Sequence, residues 1–222
     1  MKNIDIIKKS EGDKFYNRNL KFYQNLKNDT KLIELLKLNK IKAKNVLEIG
    51  CADGSKLNII RKFLNSNSAY GVDLSNKAII KGKKKFSSIK LLKLCSLEID
   101  KINKNFDLII CGFFLYNLDR EEIFLQFDKI YKKLNKGGFL IIEDFDPCFK
   151  HSNRSIHNKK LISYKMSYDR FLEETGLFKI IYKKKYDYPL IKKRDKKKFK
   201  SNEISITLYK KIDFKDTFPE NI

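Results

Sequence analysis

The sequence is poor in several residues that commonly build structural or catalytic centres. Its 222 residues include no tryptophan, 3 prolines and 2 histidines. No two of its four cysteines have the CxxC spacing of zinc and redox sites. We therefore expect no bound metal. The cysteines are Cys51, Cys95, Cys111 and Cys148.

Long apolar segments are also missing. No run of 18 apolar residues occurs, and the N-terminal residues contain no apolar stretch of the length a signal peptide needs. We therefore expect a cytoplasmic protein with reduced thiols and no membrane association.

Acidic residues are few relative to basic ones. The formal net charge is +22, and residues 179–200 alone hold 11 basic and 2 acidic side chains. One interpretation is a polyanionic partner such as nucleic acid. The other, which we favour, is a lysine-rich composition whose charges face solvent.

Hydrophobic residues make up 42% of the chain, enough for a core within one domain. The first forty residues have helical spacing, and a strand–helix alternation then begins. Such repeating units predict a mostly parallel sheet with helices on both faces. The predicted strands are NVLEIG, AYGVDLS, IKLLKL, FDLIICG and FLIIEDF, followed by KIIYKKKYDY and EISITLYKKI as an antiparallel pair at the sheet edge.

Two segments between these strands have less regular signals. A long amphipathic helix is expected to follow the fourth strand and to end on Gly137-Gly138 as a C-cap. After residue 147 the sequence is polar and irregular until a short helix that closes at Gly176.

The stretch VLEIGCADGS, residues 46–55, is the most informative part of the chain. A buried strand ends there in a turn whose small residues let a ligand approach the backbone. Asp73 ends the next strand about 20 residues on, where a carboxylate can accept hydrogen bonds from ribose hydroxyls. This order favours a nucleoside-containing ligand.

These motifs resemble the class I S-adenosylmethionine-dependent methyltransferases. VLEIGCADGS is similar to their first motif, GVDLS to their second, and FDLIICGFFLYNL and KIYKKLNKGGFLIIEDF to the segments of strands four and five. The resemblance covers residues 45–147 and extends to about 212 through the terminal strands. It implies a Rossmann-like, seven-stranded, mostly parallel α/β sheet with an antiparallel edge strand and an N-terminal helical extension.

The resemblance also implies a cofactor site for S-adenosyl-L-methionine. Glu48 would face the positively charged methionine end, and Asp73 would bind the ribose. Ala52 stands where the family usually has a middle glycine, and Ser96 lies where many members have an acidic residue near the adenine. The implied cofactor residues are Glu48, Gly50, Cys51, Ala52, Gly54, Asp73, Leu74, Ser96, Cys111 and Gly112.

Candidate catalytic residues follow the fifth strand. Both histidines, His151 and His157, lie in one seven-residue window, either as general bases or as ordinary polar loop residues. Asp144 is a further candidate base. Candidate substrate-binding residues are Tyr116, Asn117, Asp146, Tyr164, Lys165 and Arg18.

The N-terminal EGDKFYNRN is similar to a segment that precedes the core in some bacterial methyltransferases of surface-glycan or nonulosonate pathways. There it would fold over the cofactor as a lid. The alternative is a helix that packs its aromatic residues onto the core. We expect a helical extension or lid over residues 1–44, the cofactor-binding domain over 45–212 and a tail over 213–222.

Four functional hypotheses remain open from the sequence. The first is a methyltransferase acting at oxygen or nitrogen of a small molecule such as a sugar or sugar nucleotide. The second is an RNA or protein methyltransferase that grips its substrate with residues 179–200. The third is a non-catalytic cofactor-binding protein, and the fourth is a nicotinamide-binding dehydrogenase, since the glycine turn is shared.

Overall fold

The computed structural model describes residues 2–26, 30–187 and 203–217. The chain begins with short helices, which confirms the predicted N-terminal helical extension. They are α1 (Asn3–Ile6), a π-helical turn (Ile7–Glu11), α2 (Gly12–Arg18), α3 (Leu20–Asn25) and α4 (Thr30–Leu38).

From residue 45 strands and helices alternate as predicted. The elements are β1 (Asn45–Ile49), α5 (Ser55–Leu64), β2 (Ser68–Asp73), α6 (Asn76–Lys85), β3 (Lys90–Lys93), a 3₁₀ helix (Ser96–Lys101), β4 (Phe106–Gly112), two 3₁₀ turns (Leu115–Asn117 and Arg120–Glu122), α7 (Ile123–Lys133) and β5 (Leu134–Phe145).

The remaining described elements complete the sheet and add a separate hairpin. They are β6 (His151–Arg154), β7 (Ile162–Lys165), α8 (Asp169–Glu173), β8 (Phe178–Asp187), β9 (Glu203–Lys211) and α9 (Phe214–Thr217). Of the basic segment 179–200, residues 188–200 lie outside the described part of the chain.

The main sheet has seven strands in the order β3-β2-β1-β4-β5-β9-β8. β1 to β5 pair in parallel, and β9 runs antiparallel to both β5 and β8. The mostly parallel Rossmann-like sheet is confirmed, with its antiparallel strand one place in from the edge. The strand order reverses between β1 and β4, and ligands of open α/β sheets bind beyond the carboxyl ends at such a point.

Two apolar layers cover the faces of the sheet because neighbouring residues of a strand point to opposite sides. Val46 packs with α4, α5 and α6 on one face, and Leu47 packs with α7 and α8 on the other. Both side chains are fully buried. The helices therefore hold the central strands rigidly and leave their carboxyl ends as the place where a site can form.

The predicted helix end at Gly137-Gly138 is wrong. α7 ends at Lys133, and the two glycines lie inside β5, whose first residue, Leu134, pairs with Phe106. Gly137 has φ +69°, and a Cβ on Gly138 would lie 2.9 Å from the Asn135 carbonyl oxygen. The glycines thus allow an irregular strand entry rather than a helix cap.

The segment predicted to be irregular after residue 147 contains a two-stranded hairpin. β6 and β7 pair antiparallel, with His151 opposite Lys165 and Arg154 opposite Ile162. Three of the four β6 residues are exposed, so hydrophobic alternation gives no strand signal there. The pairing depends on backbone hydrogen bonds and on the packing of β7 against the 3₁₀ turn Leu115–Asn117.

Candidate active site

The turn after β1 has a backbone that L-residues rarely adopt. Gly50, Ala52 and Gly54 have φ of +75°, +48° and +74°. A Cβ on Gly54 would lie 2.6 Å from a methyl carbon of Ile89, so glycine is required there for space as well as for conformation. Ala52 shows that the middle position tolerates a methyl group in the left-handed region.

Asp73 holds this turn in place from the end of β2. One carboxylate oxygen accepts the backbone N–H of Ala52 at 2.8 Å, and the other accepts that of Ser75 at 2.7 Å. Burial raises the pKa of Asp73, while both backbone donors favour its ionised form. The carboxylate therefore ties the glycine turn to the chain that follows β2.

Glu48, Lys56 and Glu143 form a charged group at the strand-order reversal. Lys56, in the first turn of α5, places its Nζ 3.3 Å from Glu48 Oε1 and 3.7 Å from Glu143 Oε2. All three side chains are largely buried. Gly112, at the end of β4, lies beneath the ammonium, because a Cβ built there would be 2.3 Å from Lys56 Nζ.

The loop after β4 carries Tyr116 and Asn117 beside the end of β5. The backbone N–H of Tyr116 donates to Asp144 Oδ2 at 3.2 Å, and its ring meets the Phe145 ring edge-on at 5.2 Å between centroids. Cys111 is fully buried in the core, and burial raises the pKa of its thiol.

Asp144 is a buried carboxyl group with a raised pKa at the end of β5. It is 2% exposed, and burial raises its pKa to about 7, against the opposing effect of backbone N–H groups of Phe145 and Tyr116. Lys165 of β7 places its Nζ 4.1 Å from the centroid of the Phe145 ring. Burial lowers the pKa of Lys165, and the charge of Asp144 opposes that shift. The carboxyl group of Asp144 can therefore exchange a proton with a bound molecule near neutral pH.

The two histidines occupy different environments in the hairpin. His151 lies opposite Lys165 and has its Nδ1 3.2 Å from the Phe149 carbonyl oxygen. His157 is exposed in the turn between β6 and β7, where its backbone N–H donates to Ser155 Oγ at 3.3 Å.

Other predicted substrate contacts are already engaged within the protein. Asp146 is buried and forms ion pairs with Lys183 at 2.5 Å and Lys185 at 3.4 Å, both on β8. Arg18 pairs with Glu11 in the N-terminal helices.

Four further predicted residues lie at the margins of the site or in the core beneath it. The Tyr164 ring of β7 lies beneath the Arg120 guanidinium, and the Arg120 Cζ is 5.0 Å from the centroid of that ring. Ser96 begins the 3₁₀ helix after β3, and its carbonyl accepts from Gln126. Leu74 is half-buried directly after β2, and the Cys51 side chain packs in the core beneath Gly71 rather than into the cleft.

The N-terminal helices lie across the carboxyl ends of the strands. Asn3 donates to the carbonyls of Asn117 at 3.0 Å and Ile162 at 2.6 Å, and accepts the Ile162 N–H at 3.1 Å. Tyr16 donates to Asp53 at 3.2 Å, and Asp13 accepts from Ser75 at 2.7 Å.

Tyr23 of α3 reaches into the same region. Its ring stacks on Tyr16 at 5.5 Å. Burial raises the pKa of Tyr23, with the Asp73 carboxylate adding to the shift and the Lys56 ammonium opposing it. The Tyr23 hydroxyl therefore lies among the charged groups of the strand ends.

Comparisons with known proteins identify the family and the fold. A family model described as "Methyltransferase domain" matches residues 40–200. The chain belongs to the methyltransferase family. A search of the curated proteins found no match.

Solved structures similar to the methyltransferase share its fold at low sequence identity. N-methyltransferase NodS from Bradyrhizobium japonicum WM9, in complex with S-adenosylhomocysteine, is 19% identical, with 82% of this chain and 85% of that chain covered and a TM-score of 0.57. A methyltransferase from Clostridium acetobutylicum is 18% identical, with coverage of 89% and 99% and a TM-score of 0.61. The 1,6-didemethyltoxoflavin-N1-methyltransferase of Burkholderia thailandensis is 13% identical, with coverage of 95% and 89% and a TM-score of 0.68.

The methyltransferase is S-adenosylmethionine-dependent, and its strand ends fit that cofactor. The glycine turn carries no side chain larger than a methyl group at Gly50, Ala52 and Gly54, and it lies at the reversal of strand order beneath Tyr16. The carboxylates of Glu48 and Asp73 border it from β1 and β2. Among the described residues, no helix is long and apolar enough to cross a membrane, and no group of three or more His, Cys, Asp or Glu side chains is arranged to hold a metal ion.

Sequence reasoning missed several residues of the methyltransferase site. Lys56 and Glu143 were not predicted, nor were the contacts of Asn3 and Tyr23 with the strand ends. The burial of Tyr16 against the core was one of the two expectations for the N-terminal helix. Lys56 follows the glycine turn by two residues, and Glu143 precedes Asp144, so proximity to known motifs was the available signal. The N-terminal residues have no motif that specifies their contacts.

Proposed function

We propose that the methyltransferase transfers its methyl group to an oxygen or nitrogen atom of a small acceptor, with a sugar or sugar nucleotide as the first candidate class. The observation that carries this proposal is the cover over the strand ends. Asn3 joins the N-terminal helices to both the β4 loop and the β6–β7 hairpin. A site covered from two sides favours an acceptor small enough to be enclosed.

The proposed cofactor position follows the glycine turn. Glu48 and Gly112 face the amino-acid end, Gly50, Ala52 and Gly54 line the turn, and Asp73 faces the ribose. Leu74 and Ser96 border the adenine, while Cys51 and Cys111 support the turn and β4 from the core. S-adenosylmethionine supplies a methyl group that its sulfonium already activates, so the protein mainly has to orient the acceptor and exclude water.

We assign the general base to Asp144. A carboxyl group with a pKa near 7 is partly ionised at neutral pH and can accept the acceptor's proton. Tyr116 and Lys165 adjoin it and are proposed to contact the acceptor, with Asn117 and Tyr164 at the margin. His151, paired with Lys165 in the hairpin, is the alternative base; His157 is exposed.

The N-terminal residues 1–44 are proposed to act as a lid on the domain formed by residues 45–212, with residues 213–222 as a tail. Their contacts with Asp53, Ser75 and Asn117 support this division, because all three follow carboxyl ends of sheet strands. Arg18 would act within the lid, through its ion pair with Glu11.

The alternative is methylation of RNA or protein through the basic segment 179–200. Three of its four described lysines give this alternative little support, because Lys183 and Lys185 pair with Asp146 and Lys184 pairs with Glu34 at 3.4 Å. Charges that are already paired release fewer counterions on binding a polyanion. Filter binding to tRNA at increasing salt tests this alternative, which requires a steep loss of affinity with salt.

A methyl-transfer screen tests the proposed function. The purified enzyme and labelled S-adenosylmethionine are incubated with sugar nucleotides, small amines, small acids, total RNA and a protein mixture. We expect label in one of the small-molecule pools. Label confined to RNA or protein would refute the small-acceptor proposal and leave the methyltransferase assignment intact.

A further inference from the structure

We propose that Lys56 binds the carboxylate of the cofactor's amino-acid end and makes the site selective for ligands that carry this end. The inference rests on the cofactor position proposed above. It concerns a residue that lies outside the glycine turn and outside the carboxylates at the strand ends.

The position of Lys56 supports this role. It is in the first turn of α5, immediately after the glycine turn, and its side chain is 18% exposed. The side chain reaches back over the end of β4 instead of extending to solvent, as the 2.3 Å separation from a Cβ built on Gly112 shows. Any side chain at position 112 would displace the ammonium.

The balance of charge around Lys56 matches a zwitterion. Glu48 and Glu143 supply two carboxylates and Lys56 supplies one ammonium, whose Nζ lies within 4 Å of one oxygen of each carboxylate. The amino-acid end of an S-adenosyl ligand carries an ammonium and a carboxylate. If the two carboxylates accept the ligand's ammonium, Lys56 is placed to pair with the ligand's carboxylate.

Glu143 is held in place independently of the lysine. Tyr186 of β8 donates a hydrogen bond to Glu143 Oε1, while Lys56 is near Oε2. If Lys56 moves toward a ligand carboxylate, Glu143 therefore keeps Tyr186 as a hydrogen-bond donor. The cost of separating the lysine from its resting partners is correspondingly reduced.

A competing interpretation makes the opposite prediction. If Lys56 only imitates the ligand's ammonium beside Glu48, the ligand has to displace it, and removal of the lysine should tighten binding. If Lys56 serves folding alone, its removal should weaken every ligand equally.

Calorimetry with two ligands separates these possibilities. S-adenosylhomocysteine carries the amino-acid end, and 5′-methylthioadenosine has the same nucleoside without it. We expect Lys56→Met to bind S-adenosylhomocysteine about tenfold to hundredfold more weakly, since one charge-assisted hydrogen bond is lost. Its affinity for 5′-methylthioadenosine should not change. The matched control is Lys62→Met, which removes an exposed lysine from the same helix and should alter neither affinity.

The outcomes that overturn the proposal are an equal loss for both ligands, no loss, or tighter binding of S-adenosylhomocysteine. Circular dichroism and thermal melting of both variants establish that they are folded before the titrations. Failure of the wild-type protein to bind S-adenosylhomocysteine would refute the cofactor position itself. Normal wild-type binding with an unaffected Lys56→Met would refute only the role of the lysine.

Discussion

At the scale of single residues, a few carboxylates determine the shape of the site. Asp73 holds the glycine turn through two backbone hydrogen bonds, and Asp144 is buried at the end of β5 with a raised pKa. Each has a role that the neutral amide cannot reproduce. Asparagine offers one accepting oxygen, whereas Asp73 offers two oxygens to two N–H donors.

We expect Asp73→Asn to weaken S-adenosylhomocysteine binding by about tenfold or more, because the side-chain amide N–H would face a backbone donor and open the turn. Calorimetry measures the affinity. Asp128→Asn, a change at an exposed position of α7, is the matched control and should leave binding intact. Equal affinities for the wild type and Asp73→Asn would show that the turn forms without the carboxylate.

Asp144 predicts a defined pH dependence of stability. Because its pKa is raised from 3.8 to about 7 in the folded state, folding favours the protonated form. The contribution of Asp144 to the free energy of unfolding therefore falls as pH rises from about 4 to about 7 and is constant at higher pH. Between pH 5 and pH 7.5, the free energy of unfolding of Asp144→Asn should rise by about 2 kcal/mol relative to the wild type.

Urea unfolding at several pH values measures this difference. A difference between the two proteins that does not vary with pH would mean that Asp144 titrates near its ordinary pKa. Methyl transfer by the wild type should increase through the same pH range if Asp144 is the base, and Asp144→Asn should lose most of the activity without losing S-adenosylhomocysteine binding.

At the scale of elements, the N-terminal helices and the β6–β7 hairpin are connected to the sheet by specific polar contacts. α1 is only four residues long and is not a stable helix by itself. Its placement depends on Asn3, which uses its side-chain amide and oxygen on two different elements. Loss of the Asn3 side chain should therefore loosen the N-terminal helices and the β6–β7 hairpin together.

We expect Asn3→Ala to destabilise the cover by about 1–3 kcal/mol, since three hydrogen bonds to backbone groups are lost. Hydrogen exchange should quicken over residues 3–25 and over β7 while the central strands remain protected. Asn153→Ala, at an exposed position of β6, should leave exchange unchanged. Unaltered exchange in Asn3→Ala would show that the apolar contacts of α2 suffice to hold the helices.

At the scale of the whole molecule, two apolar layers and one buried ion cluster join the terminal strands to the rest. β8 is the edge strand beside β9, and two of its lysines, Lys183 and Lys185, reach the acidic residues after β5 and in α8. Lys183 forms ion pairs with both Asp146 and Asp169. Part of the chain's positive charge thus stabilises the sheet edge, where lysines also discourage pairing with other chains.

We expect Asp146→Asn to lower the free energy of unfolding by about 1–2 kcal/mol, because Lys183 and Lys185 lose a charged partner while Lys183 keeps its ion pair with Asp169. Chemical denaturation measures the loss. Glu34→Gln removes the exposed partner of Lys184 and should have little effect. A similar small effect in both variants would mean that the buried cluster contributes nothing beyond surface pairing.

The sequence predicted the sheet well because the five central strands contain short apolar runs and because α5, α6 and α7 are amphipathic. It failed where local signals conflict with tertiary pairing. Gly137-Gly138 has the composition of a helix cap, yet the pairing of Leu134 with Phe106 draws it into β5. The exposed residues of β6 have no hydrophobic alternation, so only the partner strand shows that they form a strand.

For the site, the sequence by itself determined the glycine turn, Asp73 and the family, because these depend on residues close together in the chain. Tertiary structure alone decided which distant groups meet there. Lys56 reaches Glu143 only because β1, β4 and β5 are neighbours in the sheet, and Asn3 reaches Ile162 only because the hairpin folds back over the strand ends. Short segments of sequence determine local backbone conformation, whereas contacts between side chains distant in the chain depend on how those segments pack.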